Sequence, residues 1–477
     1  MVAVTETNYA LTPDQHSREL RRAVIAATVG TTIEWYDFLL YSTMAGLVFG
    51  KLFFPNEDPL TATLNSFGIY FVGFVARPIG AFIFGHYGDR VGRKSTLIIT
   101  LVLMGVSTFL VAFLPGYATI GLWGAVLLTI LRLLQGIGVG GEWGGSVLLS
   151  MEWARHNHER GFLSSWPQFG GPAGLFLANL AVLIFSKISG DAFLSWGWRI
   201  PFAFSIVLVG IGLWIRLRIL ETPVFRNLVA ERKIERAPII EVCRKQWGTI
   251  ILTALARTSE QAPFYIFTAF IFAYGVTVLH ASRDLLLAGV LAAVCLSAIT
   301  IPLSGYLSDR IGRKKMYIIG AATMGVFGFI YFALIDTGSS VLIFIAMVLS
   351  LIPHDMQYGP QAALIAESFT PRLRYSGASI GYQLASITAG GPAPLIATAL
   401  FATYKSGTPI AIYILITAVI SIAATAFLKD YTGKDVSAEY DHWRQLLRRD
   451  VRFLVRATKK SLQDTSCYVS QRIETRN

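Results

Sequence analysis

Stretches of about 20 mostly apolar residues, separated by short polar turns, recur along the whole chain. Twelve of them are long enough to cross a bilayer: 23–49, 62–86, 95–114, 122–150, 162–186, 200–217, 247–275, 285–305, 316–335, 340–366, 377–403 and 409–428. Backbone facing lipid must satisfy its own hydrogen bonds, so these segments are predicted to be helices. The first is too long for a cleavable leader, carries Glu34 and Asp37, and follows 22 largely polar residues.

Composition agrees. Of 477 residues, 54% are hydrophobic and only 15% charged, with a mean hydropathy of +0.55. A water-soluble fold of this size cannot bury so large an apolar excess, and the same excess excludes disorder. The charge then acquires an address. With the N-terminus placed in the cytoplasm, 33 of the 41 Lys and Arg fall in inner segments, five in outer loops, and three (Arg77, Arg132 and Arg257) inside spans. The positive-inside rule therefore puts both termini in the cytoplasm. The net charge of +12 marks a membrane face and is no nucleic-acid patch. The three cysteines (Cys243, Cys295 and Cys467) lie in the cytoplasm or within a span, so no structural disulfide is expected.

The chain also repeats itself at an offset of 220. Gly85-His-Tyr-Gly-Asp89-Arg90-Val-Gly92-Arg93-Lys94 returns as Gly305-Tyr-Leu-Ser-Asp309-Arg310-Ile-Gly312-Arg313-Lys314, and Gly170-Gly171-Pro172-Ala173 as Gly390-Gly391-Pro392-Ala393. Two motifs in register argue for a duplicated six-helix unit. The expected organisation is a tail at 1–22, a six-helix bundle at 23–217, a charged cytoplasmic linker at 218–246, a second bundle at 247–428 and a basic tail at 429–477. In the last, Trp443, Leu447, Val451 and Leu454 fall near helical spacing and suggest a basic amphipathic helix on the inner leaflet. Repeats of this kind around a midplane site are one architecture of secondary transporters.

The repeated G-x-x-x-D-R-x-G-R-K turn resembles the signature of the major facilitator superfamily. Glu34-Trp-Tyr-Asp37-Phe38, Gly73-Phe-Val-Ala-Arg77-Pro78-Ile-Gly80, Gly140-Gly-Glu142-Trp143-Gly-Gly145 and Trp196-Gly-Trp-Arg199-Ile-Pro201-Phe202 resemble its metabolite:H⁺ symporter family. His354-Asp355-Met356 and Arg374-Tyr-Ser-Gly-Ala378 look most like the shikimate-transporter branch. The resemblance implies an all-α, twelve-helix transporter with no enzymatic activity and no cofactor, driven by the proton gradient. It implies uptake of a small organic acid by a monomer in the cell membrane. Dicarboxylates, aromatic acids and zwitterionic osmolytes such as proline or betaine are the alternative substrates. A non-transporting membrane sensor is the alternative class. By the same resemblance, Asp89 caps a neighbouring helix and stabilises the outward-open state, and Gly92, Arg93, Asp309, Arg310, Gly312 and Arg313 complete the paired turns with Arg90.

Ionisable groups inside a bilayer cost roughly 2.5–3.5 kcal/mol each on insertion scales and are functional candidates. Glu34 and Asp37 lie one turn apart on one helix face, where two close carboxylates would resist double ionisation, one of them carrying the proton. Glu260, His354 and Asp355 are the further proton-handling candidates. Arg132 or Arg257 offers a planar fork for a substrate carboxylate. Arg257 is expected to pair with Glu260 one turn away and to remain partly free. Gln135, Gln261 and Gln357 are candidates for substrate hydroxyls, and Tyr36, Trp143, Trp166 and Tyr265 for a cavity wall. Arg77 and Glu142 are placed toward the cytoplasmic ends of their helices, as gate or scaffold residues. Gly136-Ile-Gly138-Val-Gly140-Gly141 fits a dinucleotide motif only formally. In mid-span its glycines are expected to allow close helix packing. No metal set or nucleotide motif is found in the sequence.

Overall fold

The computed structural model describes residues 12–154, 156–230 and 238–436, so the proposed helix of the basic tail lies outside the described residues. Among the described residues every regular element is helical. The principal helices are α1 (Pro13–Met44), α2 (Pro59–Arg90), α3 (Arg93–Val111), α4 (Trp123–Met151), α5 (Arg160–Ser189), α6 (Arg199–Leu217), α8 (Arg283–Ile311), α9 (Arg313–Ile335), α10 (Ser340–Ala366) and α12 (Thr408–Phe427). Two more are assembled from pieces. α7 comprises Trp247–Ala256, Thr258–Tyr265, Ile266–Phe270 and Ile271–Thr277, and α11 comprises Arg374–Ala385, Ser386–Gly390 and Ala393–Tyr404. In each, one piece is a π-turn (Ile266–Phe270 and Ser386–Gly390), a local widening that recurs at functional sites.

Ten described stretches are long and apolar enough to cross a membrane. α1 and α7 complete a twelve-helix layout of two six-helix halves. They fall below the apolar threshold for visible reasons: α1 carries Glu34 and Asp37, and α7 breaks at Arg257 beside Glu260. Large apolar side chains on the outside, Phe113, Trp214 and Phe427 among them, are more than half exposed, as a lipid-facing surface requires.

The glycine run of α4 packs as expected. A Cβ at Gly140 would stand 2.0 Å from the carbonyl oxygen of Arg77, and one at Gly80 would stand 1.9 Å from that of Ile137. α2 and α4 therefore touch backbone to backbone. Glycines also join the halves. A Cβ at Gly85 would lie 2.9 Å from Ser376 Cα, and one at Gly305 2.8 Å from the Gly161 carbonyl. α2 meets α11 and α5 meets α8 at the end of the bundle that carries the signature turns. That end is closed.

Candidate functional site

Between the halves, α1, α2 and α4 bring two arginines together. The guanidinium carbon of Arg77 lies 3.9 Å from the centroid of the Phe38 ring, and that of Arg132 4.1 Å from the same centroid. The two cations are thus no more than 8 Å apart. Phe74 and Trp35 complete the aromatic surround of Arg77, and Tyr41 and Tyr70 that of Arg132. Gly73 makes the room, since a Cβ there would stand 2.5 Å from Arg132 Nε. Arg132 donates to Gln135, but its Nε and Nη2 have no partner, and neither do Nε and Nη2 of Arg77. Both side chains are buried, and among the described residues neither has a carboxylate inside ion-pair distance. Aromatic faces attract these charges but leave their hydrogen-bond donors unused.

Asp37 stands beside this pair. Ser205 Oγ donates to its Oδ1 at 2.7 Å, while Oδ2 is buried and unpartnered. Gln135 is held in turn, donating to Thr108 Oγ1 at 2.7 Å and to the Asp37 carbonyl at 3.2 Å. The expected Glu34–Asp37 carboxylate pair does not form. Asp37 turns to α6, whereas Glu34 has Glu142, Arg77 and Arg216 as its electrostatic neighbours. One helical turn is enough rotation to send the two side chains to different helices.

The second half holds a different arrangement. Nε2 of His354 lies 3.3 Å from Glu260, and Nδ1 lies 2.9 Å from Asp355. A neutral imidazole has a single N–H, so two carboxylate contacts require one further proton on the three groups. Gln361 donates to Glu260 at 3.1 Å, and Thr300 donates to Asp355. Arg257 does pair with Glu260, at 3.2 Å, but nothing of its fork is left free. It also donates to Gln261 and to the Tyr382 carbonyl, and its guanidinium carbon sits 3.3 Å from the Tyr382 ring centroid. Arg257 is a structural group here, and Gln261 is its acceptor.

Helix rotation decides where the other candidates lie. Arg77 lies in the aromatic cage at mid-span and not at a gate. Glu142 is scaffold: it pairs with Arg216 of α6 and accepts from Thr100 at 2.9 Å and Ser146 at 3.1 Å, all within the first half. Gln357 packs on Gly320 of α9 and donates to the Pro353 carbonyl, away from the arginines. Tyr36 is tied to the Pro201 carbonyl at 2.8 Å. Trp166 faces outward beside Phe162. Trp143 does reach the centre: it donates to Gln168 at 2.7 Å and stacks on Tyr382 of the other half at 3.6 Å, and Tyr265 packs on Phe74.

Below lies the closed seam. Asp89 accepts from the Tyr375 and Ser376 amides at 3.2 and 2.9 Å and from Ser376 Oγ at 2.8 Å. Asp309 accepts from the Gly161 and Phe162 amides at 2.9 and 2.8 Å. Each thus caps a helix of the opposite half at its positive end. Gly92 and Gly312 have φ of 121° and 103°, which only glycine adopts at low cost. Arg90 and Arg310 turn outward, to His86 and Tyr306, and take no part in the seam. Arg93 and Arg313 point in. Arg93 lies 3.4 Å from Glu152, which also meets Arg374 across the halves at 3.8 Å; Arg313 and Arg160 each lie 3.2 Å from Glu367. Glu152, Arg160, Glu367 and Arg374 were not among the sequence candidates. Their signal is a glutamate ending α4 or α10 with an arginine seven or eight residues on, present once in each half.

The comparisons agree with this architecture. Residues 23–245 match the Sugar (and other) transporter family and 292–458 the Major Facilitator Superfamily. The chain is 41% identical to the shikimate transporter of Escherichia coli over 88% of its own length and 97% of that protein's. It is 31% identical to the proline/betaine transporter of the same organism over 87% and 85%. The proton:xylose symporter XylE bound to 6-bromo-6-deoxy-D-glucose shares the fold at a TM-score of 0.72 and 19% identity, covering 90% of this chain and 99% of that one. This multi-pass membrane protein is a transporter, not an enzyme, and it belongs to the major facilitator superfamily.

Proposed function

We propose that the chain carries a small organic acid, shikimate or a related carboxylate, into the cell together with a proton. The observation that carries this reading is the pair of buried guanidiniums, Arg77 and Arg132, whose free N–H groups flank the Phe38 ring. A carboxylate reaching either one would meet unused donors for charge-assisted hydrogen bonds. The 41% identical shikimate transporter points to the same ligand class. Asp37, with one oxygen unpartnered, and the Glu260–His354–Asp355 cluster are the proton acceptors in this reading, and no cofactor takes part. The basic signature end faces the cytoplasm by the positive-inside rule. Its closed seam then makes this an outward-facing or occluded state. Substrate and proton enter from outside. Breaking the Asp89 and Asp309 caps and parting Trp143 from Tyr382 opens the way in, as the halves of a monomer rock.

Uptake into proteoliposomes under an imposed pH gradient tests this, across shikimate, dicarboxylates, benzoates and betaine. Accumulation of a monocarboxylate that stops when the gradient is collapsed is the expected result. Uptake insensitive to the gradient refutes symport. The proline/betaine relatives favour a zwitterion as second reading, with Glu260 or Asp355 for the cationic group. Betaine accumulation without shikimate accumulation would select it.

A further inference from the structure

The lipid-facing surface holds a groove that shares no residue with the candidate site. It runs between the signature-end halves of α1 and α5, with a volume of about 560 Å³. Leu20, Val24 and Val29 of α1 and Leu163, Trp166 and Phe169 of α5 form its walls. That volume lies inside the roughly 300–1,000 Å³ range of ligand clefts. Its length follows from helix geometry: Ser17 to Val29 rises about 18 Å, close to one leaflet of an approximately 30 Å hydrocarbon core. Its polarity is one-ended. Ser17 and Arg21 stand at the signature end, and only Thr28 interrupts the apolar lining beyond them. Arg18, one turn before Arg21, is also exposed, and neither makes an ion pair among the described residues, whereas Arg22 is tied to Glu19 at 2.6 Å. An apolar slot one leaflet deep, ending in one cation, Arg21, that has no ion pair among the described residues, is complementary to an acyl chain with an anionic head.

We propose that this groove binds one anionic phospholipid, its acyl chain along Val24, Val29 and Trp166 and its phosphate on Arg21. A basic residue near a bilayer surface is worth about 1 kcal/mol toward an anionic headgroup, hence about fivefold in affinity. Native mass spectrometry of the full-length protein, given equal phosphatidylglycerol and phosphatidylethanolamine, reads it. The expected result is one retained phosphatidylglycerol, favoured about fivefold, falling to parity in Arg21→Gln and kept in Arg21→Lys. Filling the slot with Val29→Trp removes the bound lipid while Arg21 remains, and millimolar inorganic phosphate leaves it in place. Parity of the two lipids on the unaltered protein, undiminished preference in Arg21→Gln, or displacement by phosphate alone each overturns the proposal. Arg21 is exposed and has no ion pair among the described residues, so its replacement leaves the fold intact; an unchanged thermal transition confirms that.

Discussion

Replacing Asp89 by asparagine should open the signature end without unfolding the protein. The carboxylate spans the halves with three hydrogen bonds: Oδ1 accepts from the Tyr375 amide, and Oδ2 accepts from both the amide and hydroxyl of Ser376. Asparagine keeps one acceptor. In its best orientation the oxygen stays with Ser376, and an NH₂ group confronts the Tyr375 N–H. One charge-assisted bond is lost at about 1.5–3 kcal/mol, and two more become ordinary neutral ones. Arg93 also loses a carboxylate at 3.6 Å but retains Glu152 at 3.4 Å. These contacts exist only when the end is closed, so a net loss of about 3 kcal/mol shifts the closed-to-open ratio by roughly 150-fold. Spin labels at Val91 and Ile311, exposed repeat-related positions on opposite halves, report that ratio in a background lacking the three cysteines. The unaltered protein should give a short distance distribution, and Asp89→Asn a longer second population with reduced net uptake. Unchanged distances together with unchanged uptake would refute the capping argument.

Further outcomes follow from the same geometry. Arg132→Lys keeps the charge but loses the planar fork, so kcat/KM for the transported acid should fall about 100-fold at unchanged expression; full uptake would remove Arg132 from the binding site. His354→Gln should abolish accumulation driven by a pH gradient while leaving substrate counterflow, which needs no net proton movement; retained gradient-driven accumulation would free the cluster of that role. Glu142→Gln strands the buried Arg216, costing roughly 3–5 kcal/mol, and should lower the thermal transition without altering KM. Gly140→Ala, whose methyl would meet the Arg77 carbonyl, should depress folded yield, while Gly210→Ala, with nothing within 4 Å, should not; equal yields would contradict the backbone contact of α2 and α4.

What could be read from the sequence divides along a physical line. Span positions depend on composition within each segment, and the repeat on identity at a fixed offset, so both are one-dimensional quantities. Even α1 and α7, with Glu34, Asp37, Arg257 and Glu260 inside them, keep enough apolar length to be recognised as spans. Ion pairing depends instead on the rotation of every helix about its axis. Glu34 and Asp37 show how steep that dependence is: three residues send one toward Glu142 and Arg216 and the other to Ser205. Arg216 was hidden for a related reason. It falls in the last turn of α6, where a basic residue reads as cytoplasmic charge although it is a buried partner of Glu142.

The contrast between the halves carries a functional consequence. Duplication supplied each with the same signature turn, and the seam keeps that symmetry: Asp89 and Asp309, Arg93 and Arg313, and Glu152 and Glu367 act in matching pairs. The centre has lost it. The first half holds two arginines with unused donors and, among the described residues, no carboxylate in direct contact, while in the second the arginine is saturated and a histidine lies between two carboxylates. The latch at the signature end gains from matched halves, because both caps must break together when that end opens. Coupling an anion to a proton needs no such symmetry: free guanidinium donors in one half can hold the anion while the His354 cluster of the other handles a proton. Divergence confined to the midplane, with the signature end held equivalent, is how one duplicated bundle meets both requirements.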